Sequence, residues 1–335
     1  MSYTSNSVLD RSATLSAVKE VVDLLGYQPV RKDFNSKNLV GAYYWAEAKD
    51  YKSYVGVELQ IYRNKRGAIT VATRSRFGRS YWDLLHQNKT LKLIRDFFGG
   101  HFETDAGRNR YWRPDGKPPK PVASGCFLAR WRLHNALIIP RIYLDQRGLH
   151  QPNAKVEPTG YNFIDEMNPR FFSNNMILPY LLAVWEEYFR ESFKAILTYS
   201  PHRAKALKSA RLNNMQLESV AASETSVEQA VADLLSFQRP SKIISNFGTV
   251  DPNIDLNGVL RKPYRRRKQS LFELVEELVE SRNAFVHSGQ MNTALTDQKL
   301  RRIISDIEAA IERCYQERSL YRTGPRTRVV LWSKD

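Results

Sequence analysis

The spacing of apolar residues along the chain differs between its two halves. Over residues 54–62 every second position is apolar, which predicts a β-strand with one covered face. Residues 64–67 then predict a turn, and residues 68–73 predict a second strand. The segment should therefore form a hairpin.

Amphipathic helices are predicted on both sides of this hairpin. One covers residues 14–25, and the other covers residues 82–98 and ends at the flexible pair Gly99 and Gly100. Residues 115–121 are rich in proline and lysine and predict an exposed loop, whereas residues 127–144 are apolar and fit either strands or a helix. We therefore expect the first half to be an α+β domain.

The second half has a helical period. Ser226 with Gln229, and Ser270 with Glu273, predict capping boxes at the start of two helices, and Thr296 or Asp297 opens a further one. Four helices are predicted, over residues 176–198, 226–236, 270–287 and 297–316. Several helices joined by short polar loops predict an all-α bundle.

A proline-rich segment separates the two patterns. It contains Pro152, Pro158, Gly160 and Pro169 and little apolar periodicity, which is typical of a linker. We predict an α+β domain over 1–150, a linker over 151–169, a helical domain over 170–320 and a C-terminal tail over 321–335.

Three polar residues interrupt the apolar stripe of the helix at 270–287. Arg282 falls about 20° from the centre of that stripe, and Asn283 and His287 fall at about 120° and 160° along one edge. A guanidinium on an apolar face must be paired or lie in a polar cleft, because an unpaired buried charge is very costly. The spacing therefore predicts that the three side chains meet at a cleft near the end of the helix.

The helical setting of these residues resembles the HEPN domain family. The resemblance rests on "LVEELVESRNAFVHSG", the later helix "LTDQKLRRIISDIEAAIERC" and the earlier helix "ILPYLLAVWEEYFRESFKAIL", and covers roughly residues 170–320. Its specific element is the RNxxxH string. In that family an acidic residue on the first long helix accompanies the motif, and Glu186 or Glu187 stands at that place here.

The HEPN resemblance implies a metal-independent endoribonuclease that has no cofactor and acts as a homodimer, with two motifs facing one groove. It implies that His287 is the general acid or base, that Arg282 neutralises the phosphate and that Asn283 orients His287 or the phosphate. The expected products are a 2′,3′-cyclic phosphate and a 5′-hydroxyl.

Composition and charge agree with an RNA partner. The net charge is +16, and most of it comes from residues 1–160, where 26 Lys+Arg against 14 Asp+Glu give +12. Such an excess favours phosphate backbones.

The sequence contains no apolar run of about 18 residues, and its N-terminus does not resemble a secretory signal, so we expect a cytoplasmic protein with no membrane contact. Cys126 and Cys314 show no disulfide framework or metal-ligand spacing.

Two basic segments are candidate nucleic-acid contacts. In the helical half, Tyr264 is available for stacking among Arg265, Arg266, Arg267 and Lys268. In the first half, basic residues lie on the predicted hairpin and directly after it: Arg63, Lys65, Arg66, Arg74, Arg76 and Arg79. Aromatic residues lie beside them: Tyr62, Phe77, Tyr81 and Trp82.

The first half also resembles a degenerate LAGLIDADG homing-endonuclease unit. The string "VGAYYWAEA" (residues 40–48) corresponds to the motif helix, followed by a strand pair and a helix that ends at Gly99 and Gly100. The resemblance implies a sheet that contacts DNA, with Glu47 as a metal ligand if this half cuts DNA.

Three functions therefore remain open. The first is a ribonuclease of toxin or antiviral-defence type, whose first half senses nucleic acid or regulates the nuclease. The second is a LAGLIDADG-like DNA-binding protein or endonuclease with a helical accessory domain. The third is a HEPN interaction module without catalysis.

Overall fold

The computed structural model describes residues 2–31, 38–114, 116–150 and 158–317. These residues form two compact units, and the division falls between Ser124 and Gly125. The first unit contains an antiparallel sheet with helices, and the second is helical. The predicted fold class, an α+β half followed by a helical half, is confirmed.

The sheet has seven strands in the order β2-β3-β4-β5-β1-β6-β7, and all neighbours are antiparallel. The strands are β1 (Tyr3–Val8), β2 (Gln28–Pro29), β3 (Leu39–Trp45), β4 (Val57–Arg63), β5 (Ile69–Ser75), β6 (His101–Thr104) and β7 (Gly107–Arg108). The predicted hairpin is β4 and β5, joined by the turn at residues 64–67. Asn64 closes this turn because its Oδ1 accepts from Arg66 N and Ala68 N, both at 2.9 Å.

Helices α1 (Leu15–Leu24) and α2 (Tyr81–Phe98) provide the apolar cover of one sheet face. Residues alternate along β4, so that Val57, Leu59 and Ile61 are fully buried against this cover. The intervening residues of β4 are polar or aromatic and half-buried. The opposite face of the sheet is therefore uncovered by helices within this unit.

The second unit is built around a long helix. The helices that follow the sheet are α3 (Pro121–His150), α4 (Asn162–Glu166), α5 (Pro169–Tyr199), α6 (Arg203–Ser209), α7 (Asn214–Ala221), α8 (Val227–Leu234), α9 (Pro240–Val250), α10 (Leu256–Arg261), α11 (Leu271–Ser288) and α12 (Asp297–Glu317). Trp185, Phe189 and Phe193 of α5 are buried, and Phe193 contacts Phe237 and Phe247 at ring separations of 5.4 and 5.7 Å. α5 is thus the central helix of this core.

A row of ion pairs joins α3 to α12. Arg130 Nε lies 2.8 Å from Glu312 Oε2, and His134 Nδ1 lies 3.0 Å from Glu308 Oε1. Arg141 also binds Glu308. Because α3 lies almost wholly in the helical unit, these pairs extend that unit well before residue 158.

The helix predicted at the LAGLIDADG-like string is wrong. Residues 40–45 lie in β3, which pairs with β4 from Trp45 and Val57 to Leu39 and Tyr62. Alternate burial of Leu39, Gly41 and Tyr43 explains why this aromatic segment is a strand. The first element that the LAGLIDADG resemblance requires is therefore missing, and that resemblance is not supported.

Most predicted helices are present with small shifts at their ends, except that the helix predicted from residue 176 begins at Pro169. The reciprocal cap at Ser226 is wrong in one half: Ser226 Oγ accepts from Gln229 N, but the Gln229 side chain binds Lys194 and Asp233 instead. Residues 127–144, left open between strand and helix, belong to α3. No helix among the described residues is long and apolar enough to cross a membrane.

The predicted domain limits stay a prediction. The division between the compact units follows Ser124 and so precedes the proposed linker, because most of α3 belongs to the helical unit. Helix α3 continues to His150, and α5 begins at Pro169. Residues 151–157 of the linker and the tail at 321–335 lie outside the described residues.

Candidate functional site

Helix α11 is defined at both ends by capping. At its start, Ser270 Oγ accepts from Glu273 N at 3.3 Å, and Glu273 Oε2 accepts from Ser270 N at 2.9 Å, as predicted. At its end Gly289 adopts a left-handed conformation with φ of 68°, and its N–H donates to Phe285 O. The N-terminal cap defines where α11 starts, and the cap at Gly289 fixes its last turn, which carries His287.

The apolar stripe of α11 is buried only in the first half of the helix. Leu271, Val275, Leu278 and Val279 are buried. The next residue on this face, Arg282, is half-buried. The stripe thus opens into a partly solvated position near the end of the helix, where a charged side chain can be accommodated.

Arg282 and Asn283 are joined by a hydrogen bond. Arg282 Nη1 donates to Asn283 Oδ1 at 2.9 Å. Arg282 Nε is buried and has no hydrogen-bond partner among the described residues. Because the side chain as a whole is only half-buried, the accessible part of its guanidinium can bind an anion that enters from the solvent side.

The structure distinguishes between the two candidate acidic residues of α5. Burial raises the pKa of the half-buried Glu186 carboxyl, while Arg190 and Arg282 oppose the shift. Glu187 is exposed, and its Oε2 accepts from Arg190 Nη1 at 2.9 Å. Glu186 is therefore the carboxylate within electrostatic range of Arg282.

His287 is exposed and lies one turn after Asn283. Among the described residues its side chain has no hydrogen bond or ion pair. Arg282 and Asn283 are thus linked within one chain, whereas His287 stands at the adjacent edge with its imidazole open to solvent.

An apolar groove lies beside this end of α11. The ring of Phe285 packs against the ring of Phe172 on α5, with 6.1 Å between the ring centroids. Phe172 in turn lines a groove of about 350 Å³ between α3 and α5, with Ile139, Tyr143 and Met176. We name this the α3/α5 groove. The sequence did not predict it, because its α3 side comes from a segment whose secondary structure was left open.

A buried amide pair holds the loop that follows α11. Asn174 Nδ2 donates to Leu295 O at 2.7 Å, and Asn175 Oδ1 accepts from Asn292 N at 2.9 Å. Both asparagines are fully buried. They fix the connection from the His287 turn to α12. Sequence analysis missed them, although two polar residues among the apolar positions of α5 were a usable signal.

The basic segment before α11 is partly structural. Arg267 Nη1 lies 2.6 Å from Asp306 Oδ2, and Arg265 lies 3.7 Å from the same buried carboxylate. The Tyr264 ring lies 5.2 Å from the Arg313 guanidinium. The segment also contains Arg266 and Lys268, which are both exposed.

The basic residues of the first unit divide into two groups. Arg79 stacks on Tyr3 at 3.7 Å and donates to Ser75 Oγ at 3.0 Å, so it supports the fold. The others are exposed on the hairpin or the uncovered sheet face: Arg63, Lys65, Arg66, Arg74 and Arg76.

Glu47 has a local structural role. Its Oε1 accepts from Lys49 N at 2.9 Å, at the start of the 3₁₀ turn Lys49–Tyr51. In the part of the chain that the structure describes, no three His, Cys, Asp or Glu side chains are grouped so that they could hold a metal ion.

Comparison with known proteins identifies the helical unit. Residues 158–317 match the family model RiboL-PSP-HEPN. No curated protein and no solved structure matches the chain. HEPN proteins are generally ribonucleases, so the match supports a nuclease that acts on RNA as the general function. Residues 158–317 of the chain therefore form a HEPN domain of the RiboL-PSP-HEPN family.

Proposed function

We propose that this chain is a metal-independent endoribonuclease whose site is formed by Arg282, Asn283 and His287. One observation carries the proposal: the Arg282 guanidinium is half-buried and is bonded to the neutral Asn283 amide, so no carboxylate within ion-pair distance neutralises its charge among the described residues. A phosphate bound at the solvent-accessible side of the guanidinium would neutralise that charge.

The proposed reaction needs only groups of the chain and of the substrate. His287 accepts the proton of the RNA 2′-hydroxyl while the 2′-oxygen attacks the adjacent phosphorus. The bond from phosphorus to the 5′-oxygen breaks, and that oxygen takes up the proton that His287 has accepted. Arg282 stabilises the negative charge that accumulates on the phosphoryl oxygens. The products are a 2′,3′-cyclic phosphate and a 5′-hydroxyl, and DNA is not a substrate.

Glu186 is proposed as a positioning residue. Its carboxylate opposes the charge of Arg282 without an ion pair within 4 Å in the described structure. Such an arrangement attracts the guanidinium without occupying its donors, so that those not bonded to Asn283 remain for phosphate. Arg266 and Lys268, which are exposed before α11, are the proposed contacts for the flanking RNA backbone.

The active form is proposed to be a homodimer that covers the α3/α5 groove. Ile139, Phe172, Met176 and Val286 are between 50 and 62% exposed. With Tyr143, their exposed area is on the order of 500 Å², which approaches the area of about 800 Å² that each partner buries in a stable interface. Val286 adjoins His287, so a second copy placed here brings the two sites together.

Sedimentation velocity tests this surface. We expect the full chain to be a dimer, Met176→Lys and Ile139→Lys to be monomers that do not cut RNA, and Met215→Lys, at a 75% exposed position on α7, to remain an active dimer. A Met176→Lys variant that stays dimeric would exclude the groove as the interface.

For the N-terminal unit we propose nucleic-acid binding that senses RNA or DNA, or that restrains the nuclease. The exposed positive charges on the hairpin, including Arg63, Lys65 and Arg66, support it. With a nuclease in the other unit, this organisation fits a cytoplasmic enzyme of toxin or antiviral-defence type.

Cleavage in EDTA distinguishes the candidate functions. We expect RNA but not DNA to be cut. The rate of RNA cleavage should fall at least a hundredfold in Arg282→Ala and in His287→Ala. The matched controls Arg211→Ala and His202→Ala, both at exposed positions, should retain activity. Magnesium-dependent DNA cleavage that is lost in Glu47→Ala would favour a DNA endonuclease instead. Inactivity on both substrates in an intact dimer would favour an interaction module.

Expression in bacteria gives a cellular test. If the enzyme degrades RNA in cells, the wild-type chain slows growth and His287→Ala relieves the effect. Equal toxicity of the two chains would contradict a toxin based on this site.

A further inference from the structure

The uncovered face of the N-terminal sheet contains a polar groove that no function yet accounts for. It has a volume of about 610 Å³, and its lining includes Asn6, Gln60, Tyr62, Ala72, Arg74 and Arg76. The groove crosses the central strands β1, β4 and β5 on the side away from α1 and α2. Apart from Arg76, which follows β5, its lining therefore comes from the strands and not from loops.

Strand register places a small residue at the centre of this face. Ala72 of β5 pairs with Gln60 of β4 on one side and with Asn6 of β1 on the other. Since neighbouring strands lie about 4.8 Å apart, the two carboxamides rise about 10 Å from each other across the alanine methyl. This leaves a slot in which a flat ring can approach the sheet.

The walls of the slot offer hydrogen bonds without charge. Gln60 Oε1 accepts from Tyr62 OH at 2.6 Å, and no partner of Gln60 Nε2 occurs among the described residues. The Asn6 carboxamide has no hydrogen bond within the described part of the chain either. A carboxamide has both donors and acceptors, which is the chemistry that matches the edge of a nucleobase.

One end of the groove is cationic, and the other is aromatic. Arg76 Nε lies 2.5 Å from Glu58 Oε1, so that pair is neutral, while Arg74 is exposed and makes only a long contact of 3.4 Å with Ser2 Oγ. Tyr62 lies one residue pair beyond Gln60 on the same face. A phosphate of the backbone would bind at Arg74, and the ring of a neighbouring base would stack on Tyr62. A base held over Ala72 would lie between these two contacts.

We propose that this groove binds an unpaired nucleobase of a single-stranded nucleic acid, with the base over Ala72 and its backbone at Arg74. A duplex does not fit, because its bases are stacked and their faces cannot reach the sheet. The inference rests on the proposed nucleic-acid binding of the N-terminal unit and not on RNA cleavage. It assigns base recognition to the uncovered face and leaves the charges of the hairpin tip as backbone contacts.

Fluorescence anisotropy on the full chain tests the proposal. The His287→Ala background in EDTA keeps the RNA intact, and the probes are labelled 12-nucleotide single-stranded RNA, single-stranded DNA and duplex RNA. We expect single strands to bind at least tenfold more tightly than the duplex. Equal affinity for the two single strands shows that the 2′-hydroxyl is not needed, and a preference for RNA shows that it contributes; the proposal allows both, because the preference for single strands over the duplex tests base recognition.

Two groove variants and two controls complete the design. Ala72→Phe fills the slot, and Asn6→Ala with Gln60→Ala removes both walls; each should weaken single-strand binding about tenfold. If Ala72→Phe fails to fold, the double variant Asn6→Ala with Gln60→Ala still tests the groove. Ala221→Phe, at an exposed position of α7, should have no effect.

The second control is Lys65→Ala with Arg66→Ala at the hairpin tip. It should weaken single-strand and duplex binding alike, because it removes charge alone. Unchanged affinity in the groove variants, or a duplex bound as tightly as a single strand, would overturn the proposal. If only the hairpin variant weakens binding, the N-terminal unit still binds nucleic acid, but not through this groove.

Discussion

Arg282 places a charge where the period of α11 places apolar side chains. That position followed from the sequence, because an ideal helix fixes the direction of each residue once the stripe is known. The choice of Glu186 over Glu187 did not follow, since both are compatible with the same helix. It depends on how α5 and α11 are rotated against each other, which long-range packing determines.

Asn174 and Asn175 show the same limit. They lie on the buried side of α5, and their partners are in the loop after α11, more than 100 positions later in the sequence. Helical periodicity contains no information on such contacts. The three motif residues could therefore be proposed from the sequence, whereas the residues that hold their loop could not.

At the residue scale we predict that Asn174→Ala destabilises the fold. Asn174 donates to Leu295 O and to Asp297 Oδ1, and it accepts from Arg147 Nη2 at 2.6 Å. Leaving these buried groups unpaired should lower the free energy of unfolding by about 2–3 kcal/mol, measured by urea denaturation. The control Asn214→Ala, at an exposed position of α7, should change it by less than about 0.5 kcal/mol. A similarly small change in Asn174→Ala would show that the amide is dispensable.

Among the elements, the helices with capping signals were predicted well and the strand β3 was not. Ser270 and Glu273 form both hydrogen bonds of their box because these depend only on local chain geometry. Residues 40–45 alternate in burial as a strand, whereas the prediction for them followed the resemblance to a helical motif and did not consider a strand. Helix α3 was left open because its apolar residues face several neighbours and show little periodicity.

The α3–α12 contact gives a prediction of pH dependence. Burial raises the pKa of Glu308, but its bonds to His134 and Arg141 outweigh this and lower the pKa to about 2. The stabilising effect is therefore complete above the ordinary value of 4.5 and is lost as the pH falls toward 2.

We expect Glu308→Gln to lower the free energy of unfolding by about 2 kcal/mol at pH 7, and by progressively less below pH 4.5. Urea denaturation across this range measures the effect. Glu218→Gln, at an exposed position, is the control. A deficit that is the same at pH 7 and pH 3 would exclude the ion pairs as its cause.

For the whole molecule, sequence analysis predicted the order of an α+β half and a helical half. It did not place α3, which lies before the family match at 158 but is joined to α12 by ion pairs. A linker signal marks where a chain is polar and rich in proline. It does not reveal which unit the preceding helix packs against.

We predict that residues 121–317 form a more stable fragment than residues 158–317. The shorter fragment lacks α3, whose Leu133, Leu137 and Leu144 are buried, and it leaves Glu308 and Glu312 without their cations. The thermal midpoint should fall by at least about 5 °C, measured by circular dichroism. Equal midpoints would place α3 outside the folding unit and favour a domain that begins near residue 158.

RNA cleavage through the 2′-hydroxyl without a metal ion is the reaction that we propose for this chain. Its most direct test is mass spectrometry of the products formed in EDTA from an RNA and from the same RNA with a single 2′-deoxynucleotide at the cleaved position. We expect a 2′,3′-cyclic phosphate and a 5′-hydroxyl from the RNA, and no cleavage at the substituted position. A 5′-phosphate product, or cleavage that survives the substitution, would contradict it.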